Sequence, residues 1–313
     1  MIRRETIAGV SISHPDRVVF PAVGATKLDI ARYYESIGDW ILPHLKDRPL
    51  TLVRCPEGAG TTASPGECFF MRHSKVWAPA PLRRVRIREK TKLGEYLIAD
   101  SVAAVVGLVQ MGVLELHTWN SCFAHVEYPD RIVIDLDPGA RVSWTAVVEG
   151  ARLVRTMLAG VDLESFVKTT GGRGLHVVVP LAPRADWAEC LAFARSVAET
   201  LAARDPARYT TRFAKAGRDA QILIDYLRNN RTNTSIAAYS TRARPHAPVS
   251  VPLAWSELTA RRPPHTWTMS TVVTRLATLT RDPWRDYRKL TRRSGQSLPR
   301  VRLDRAIPSR RLS

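Results

Sequence analysis

Hydrophobic and polar positions change period several times along the chain, and each change marks an element. Ile30, Tyr34, Ile37 and Ile41 recur at helical spacing and predict one helix after Thr26. Arg48–Arg54 reads as a strand, and the Gly-, Pro-, Ser- and Thr-rich stretch 56–66 reads as a loop. Leu82–Arg88 alternates basic and apolar residues as an edge strand does. Asp100-Ser101 can cap a helix from Val102 to about Gly112 that is apolar nearly all round and should be buried. Val113–Trp119 leaves it as a strand. In Arg131–Asp137 the residues Ile132, Ile134 and Leu136 point one way, and Val133, Asp135 and Asp137 the other. Ser143 caps a helix with Val147, Val148, Ala151, Val154, Met157 and Leu158 inward, and Gly160 ends it. Strands Ser165–Lys168 and Leu175–Pro180 follow, then a helix opened by the capping box Asp186/Glu189 and running to about Arg204. Gln221–Leu227 is a strand, 228–235 a polar loop, Ile236–Arg244 extended and 245–252 proline-rich. Ser270–Leu279 is a short amphipathic helix.

Length and charge narrow the class. The 313 residues suffice for one large core or two domains. There is no internal repeat and linker signals are weak, so one catalytic module over 1–280 is expected, with a small N-terminal lobe over about 1–95. Residues 281–313 form a basic segment whose last fifteen or so residues are expected to be disordered. Lys and Arg number 47 against 29 Asp and Glu, a net charge of +18. That excess calls for a polyanionic partner, nucleic acid before membrane. No run of about 18 apolar residues exists and the N-terminus lacks an apolar signal region, so a cytoplasmic, nucleoid-associated protein with no membrane partner is expected. Cys55, Cys68, Cys122 and Cys190 form no C-x-x-C pair and are expected as free thiols, ahead of a zinc site from Cys55, Cys68 and His73.

The chemistry concentrates in a few stretches. Two carboxylates on one strand face are costly to bury without a counter-ion, and hard oxygen ligands suit magnesium or manganese. Asp225, on another strand, supplies a third acid, and such a set suits two-metal phosphoryl transfer. Asp-x-Asp alone is a weak signal. In Thr170-Gly171-Gly172-Arg173-Gly174-Leu175-His176 the glycines can present N–H groups to a triphosphate while Thr170, Arg173 and His176 add donors. A plain hairpin turn explains the same glycines. The segment is neither a Walker A loop nor a dinucleotide fingerprint, because the G-K-[ST] ending is missing and a strand follows. Arg242 and Arg244, two apart on an extended segment, would share a face and grip phosphate, or form a solvated basic strand. Lys27 at a helix start, where the dipole prefers an acid, serves a ligand or solvent. Phe69-Phe70 beside basic residues suits base stacking, or one ring in the core and one partly covered.

Taken together, Ile134-Asp-Leu-Asp-Pro-Gly139, Thr170–His176, Ile224-Asp-Tyr-Leu227 and Ala238-Tyr-Ser-Thr-Arg-Ala-Arg244 resemble the polymerase domain of bacterial ATP-dependent DNA ligase D, in the archaeo-eukaryotic primase superfamily. The resemblance spans about Ser13 to Leu258. It implies an α/β fold with two sheets facing each other across a cleft and flanking helices. It implies that Asp135, Asp137 and Asp225 hold two manganese or magnesium ions, usually manganese. Thr170, Gly171, Gly172, Arg173 and His176 would meet the triphosphate of an NTP or dNTP, with Arg242 and Arg244 assisting and His117 near sugar and phosphate. Lys27 and Arg17 would grip the 5′ phosphate of a gap or overhang, with Arg54, Phe69 and Phe70 on the DNA. Ribonucleotide preference and work in non-homologous end joining, with Ku and a separate DNA ligase, follow from the same resemblance. Thr170 stands where serine is common, Arg17 for a lysine, Asn233 for a lysine and Ala238 for a proline of some relatives. No Lys-x-Asp-Gly ligase nucleophile is present, so a stand-alone polymerase module is expected. A metal-dependent nuclease using the same acids and a catalytically silent DNA-end-binding protein are the alternatives.

Overall fold

The computed structural model describes residues 4–74 and 77–299, so the expected disordered tail lies outside the described residues. The fold is mixed α/β, and the chain divides into two compact units that interleave along the sequence. One comprises Met1–Ala124, Thr234–Val251 and His265–Thr280, the other His125–Asn233, Pro252–Pro264 and Arg281–Ser313.

The second unit is built on a six-stranded sheet, in the order Tyr209–Thr210, Ile222–Asp225, Arg131–Pro138, Leu175–Pro180, Phe166–Thr169, Pro252–Leu253. All neighbours are antiparallel except the first pair. Ile132, Ile134 and Leu136 are fully buried. Helix Trp144–Ala159 lies on this face, and Gly150 permits the approach: a Cβ there would stand 3.2 Å from Leu136 Cδ2. The helix starts at Ser143, whose side chain accepts from the Ala146 N–H. Helix Trp187–Arg204 opens with the expected capping box of Asp186 and Glu189.

The opposite face of that sheet is divided by rows. Val133, Val178 and Phe166 are register partners across three strands. Trp284 and Tyr287 cover them, their rings stacked with centroids 5.0 Å apart. Trp284 Nε1 donates to the Val167 carbonyl at 3.1 Å. The next row along the strands carries the acids.

The first unit has a four-stranded antiparallel sheet, in the order Ser235–Ile236, Val113–Thr118, Leu50–Arg54, Phe69–Met71. Helix Val102–Gln110 is capped by Ser101, and its residues 104–109 are all buried, as the apolar pattern requires. The single helix expected through Ile41 is two, Lys27–Ser36 and Gly38–Leu45. The break at Ile37 coincides with a tight contact: a Cβ on Gly38 would meet Val102 Cγ2 at 2.5 Å. That contact is remote in sequence, so local periodicity does not show it. The hairpin Arg83–Arg88/Leu93–Ile98 adds a strand the pattern did not suggest.

Two further expectations are corrected. Arg242 and Arg244 do not lie on a strand: the ladder ends at Ile236, and Tyr239 adopts a positive φ of 65°. The Arg244 N–H donates to the Arg242 carbonyl at 2.8 Å, closing a tight turn before Pro245. Cys55 and Cys68 are not free thiols but a disulfide; Cys122 and Cys190 are free. The hairpin register explains the pairing. Arg54 stands opposite Phe69, so the next residues outward on each strand are the two cysteines. The bond closes the loop that carries Gly58 and Gly60, both at positive φ. Holding that loop shut should stabilise the chain by about 1–3 kcal/mol, through the entropy removed from the unfolded state. Cys68→Ser is expected to lower urea stability by that amount and to speed proteolysis between 56 and 67. Wild type in excess dithiol should behave like the variant, and identical urea curves in all three samples would contradict the bond.

Candidate active site

The acids occupy one row across four strands. Asp135 has Asp225 as its register partner on one side and His176 on the other, and His176 is in turn opposite Lys168. Direct partners share a face, so Lys168, His176, Asp135 and Asp225 line up. All four residues are buried. Two carboxylates placed directly opposite repel each other strongly, and the arrangement holds because a cation bridges them. Arg228 Nε lies 3.1 Å from Asp135 Oδ2 and 3.1 Å from Asp225 Oδ2. Asn229 fixes that arginine's turn: its amide accepts from the Val133 N–H and donates to the Val133 carbonyl, both at 2.8 Å, in the manner of a further strand.

The electrostatics divide the two acids. Burial opposes ionisation of Asp135, but His176 and Arg228 outweigh it and hold the carboxyl well below the usual carboxylate range. Burial raises Asp225, with Asp135 adding to the rise and Arg228 opposing it. His176 is pushed down to about 4 by burial and by the charge of Lys168. Arg228 supplies the permanent counter-charge. His176 Nε2 stands 3.5 Å from Asp135 Oδ2, while its buried Nδ1 has no hydrogen-bond partner. Asp137 differs: its side chain is 55% exposed, with Arg218 Nη2 at 3.2 Å.

Among the described residues no group of three or more His, Cys, Asp or Glu forms a ready-made metal cage. The donor set still fits a hard divalent cation. Three carboxylates share one face of adjacent strands, and two of them already hold a cationic group between them.

The Thr170–His176 stretch is a tight loop. Gly171 takes φ 67°, the Gly172 N–H donates to Thr170 Oγ1 at 3.2 Å, and Thr170 Oγ1 donates to the Gly174 carbonyl at 3.2 Å. Gly174 must be glycine, since a Cβ would stand 2.3 Å from the Leu136 carbonyl oxygen. The Arg173 guanidinium donates to the Ala140 and Val142 carbonyls, both at 3.0 Å. It braces the loop after the acidic strand and does not join the acid row.

The first unit holds a second cluster. Glu115 and His117 lie on one face of their strand, with Glu115 Oε2 2.7 Å from His117 Nε2. Arg242 Nε forms an ion pair with Glu115 Oε1 at 3.0 Å, and the Ala243 N–H donates to the same oxygen at 2.8 Å. Arg244 is exposed and stands outside these contacts with Glu115. Burial works against the Glu115 charge, yet His117 and Arg242 bring its carboxyl down to about 2. The Phe70 ring lies edge-on to His117, centroids 5.9 Å apart, and is 72% exposed. Phe69 is also exposed, with the Arg54 guanidinium 5.8 Å from its ring. Neither phenylalanine is a core residue.

Lys27, Arg17 and Arg54 line a cavity of about 280 Å³ in the same unit. Lys27 Nζ donates to Gln110 Oε1 at 2.8 Å and to the Ser13 carbonyl at 3.1 Å. Burial, with the charge of Arg17 beside it, lowers the ammonium to about 8. Arg17 donates to the Pro56 carbonyl at 2.9 Å and to Glu57 at 3.2 Å. Two cations in one small cavity suit an anion better than solvent.

The family model described as "LigD, primase-polymerase domain" matches residues 26–284. The chain belongs to the LigD primase-polymerase family. Nucleotidyl transfer is the chemistry of a primase-polymerase. A Pseudomonas aeruginosa relative, "Multifunctional non-homologous end joining protein LigD", is 39% identical over 91% of the chain and 33% of its own length. The Mycolicibacterium smegmatis protein of that name is 35% identical over 80% of the chain and 32% of its own length. The chain thus spans about a third of the length of these curated relatives. A solved structure, "Polymerase Domain from Mycobacterium tuberculosis Ligase D in complex with DNA", matches at TM-score 0.78 and 31% identity, over 86% of this chain and 94% of that one. Among the described residues no helix is long and apolar enough to cross a membrane.

Several residues that shape this LigD-type site were not legible as candidates. Arg228 follows Asp225 by three, a spacing that a turn brings onto the carboxylate. Glu115 shares a strand face with His117, a period-two signal that gains meaning only once Arg242 meets it. Lys168 and Arg218 needed the sheet register and a long-range contact. Arg228→Gln tests the bridge. It should cost roughly 2 kcal/mol at pH 7, less than the 3–5 of a fully buried pair because Arg228 is two-fifths exposed. Without the guanidinium the raised Asp225 takes up a proton more readily, so the deficit should shrink as the solution is acidified. Urea unfolding at pH 7 and pH 4 measures both, and a deficit that grows on acidification would contradict the bridge.

Proposed function

We propose that the chain performs template-directed nucleotidyl transfer at gaps and ends of DNA. A primer 3′-OH attacks the α-phosphate of an incoming nucleotide, and pyrophosphate leaves. The observation that carries this reading is the register that sets Asp135 against Asp225 with His176 in the same row. Asp135, Asp137 and Asp225 would hold two divalent cations, manganese or magnesium, which would lower the pKa of the attacking hydroxyl and stabilise the charge that develops on the phosphates. His176 would offer a hydrogen bond beside the row, and Gly171 and Gly172 would let the triphosphate come close to the Thr170 loop. His117 and Arg242, fixed by Glu115, would contact nucleotide sugar or phosphate, and Arg244 lies at the exposed end of their turn. Preference for ribonucleotides belongs to this reading as an expectation of the family.

The cavity of Lys27, Arg17 and Arg54 is the 5′-phosphate site in this proposal. Lys27 is partly desolvated by its surroundings, so a dianionic phosphate would favour its protonation. Exposed Phe69 and Phe70 stack on bases beside it. The net charge of +18 supports binding to the phosphate backbone. Relatives named for non-homologous end joining support a role in end repair alongside Ku and a ligase.

Asp135→Ala is expected to reduce primer extension at least a thousandfold while gapped-duplex affinity stays within about threefold, as loss of a metal-directed charge demands. Extension at wild-type rate would sink the metal assignment. Lys27→Ala should erase the preference for a 5′-phosphorylated gap over an unphosphorylated one. Competition binding of the two duplexes reads this directly, and an unchanged ratio would refute the phosphate site.

A further inference from the structure

Glu115 is buried, yet the transfer reaction has no step for it. It is too well bound to be a spectator. Its two oxygens take the His117 ring at 2.7 Å, the Ala243 N–H at 2.8 Å and the Arg242 ion pair at 3.0 Å. These donors come from the strand Val113–Thr118 and from the turn after Ile236, so one carboxylate ties together segments about 128 residues apart in the chain. An ionised carboxylate only accepts hydrogen bonds. His117 Nε2 must therefore carry the proton in that contact, which fixes the tautomer of the neutral ring. The same carboxylate holds the Arg242 guanidinium beside it as an ion pair, with Nε 3.0 Å from Oε1.

We infer that Glu115 is a positioning residue for the nucleoside triphosphate: it fixes the tautomer of His117 and the orientation of Arg242 without touching the substrate. The inference rests on the reading of His117 and Arg242 as nucleotide contacts. Its consequence is a pre-organised binding cluster, in which the ordering cost of two side chains is met before the nucleotide arrives.

The full chain with a gapped duplex and manganese supplies the test. Glu115→Gln keeps the shape but turns one acceptor into a donor that faces donors. The nucleotide KM should rise about tenfold while kcat changes less than threefold, equivalent to about 1.4 kcal/mol of nucleotide binding. In a His117→Gln background, adding Glu115→Gln should raise KM by less than it does in the wild-type background, because only the part that acts through Arg242 remains. Glu115→Asp, which keeps the charge, should recover part of the loss. Binding of the duplex alone is unaffected if the role is positional.

Two failures separate cleanly. If His117→Gln leaves the nucleotide KM unchanged, the nucleotide reading of this cluster falls. If His117→Gln raises KM and a folded Glu115→Gln does not, only the Glu115 inference falls. A measurement on the unaltered chain covers a variant that does not fold. Imidazole nitrogen NMR of labelled protein at pH 8 should show His117 as the Nε2–H tautomer, and the Nδ1–H tautomer would overturn the inference.

Discussion

Two carboxylates set directly against each other on adjacent buried strands are the constraint on which the catalytic unit depends. Asp135 and Asp225 cannot both stay ionised in that position without a cation between them. The chain supplies one, Arg228, and anchors it through Asn229 to the backbone of Val133. The surrounding sequence serves the same end. Ile132, Ile134 and Leu136 bury the opposite face and fix the register that places the acids. Trp284 and Tyr287 seal the neighbouring row and leave the acid row to polar partners. A pair that must be neutralised, in a sheet too rigid to separate its members, is a natural seat for divalent metal.

The other unit solves a related problem with the signs reversed. There a single buried carboxylate, Glu115, gathers a histidine and an arginine. In the first case a cation compensates two opposed acids. In the second an acid compensates an arginine and holds a histidine. Both arrangements hold charge in low dielectric ready for a ligand, and both lose more from removal of the compensating partner than either pair gains by forming.

How far the sequence disclosed this follows from the range of the signals. The acidic strand was legible because alternation is local: residues two apart share a face whatever lies around them. Helix starts at Ser101, Ser143 and Asp186 were legible for the same reason, since a cap needs only the next three residues. The break at Ile37 was not, because it accompanies a contact between Gly38 and Val102. The Cys55–Cys68 bond was hidden by the absence of a spacing motif and appears only with the hairpin register. Arg242 does not sit on the strand its composition suggests, because positive φ at Tyr239 bends the segment. The Arg173 guanidinium braces the Ala140 and Val142 backbone, a long-range contact that the loop's own sequence does not show.

We propose that the opposed acids are a metal seat. Manganese binding read by electron paramagnetic resonance tests this on the chain with a gapped duplex and a non-hydrolysable nucleotide. Two bound ions per chain are expected, with at least one lost in Asp225→Asn while duplex binding is kept. Wild-type protein that binds no manganese under those conditions, or an Asp225→Asn variant that binds as many ions as wild type, would contradict it.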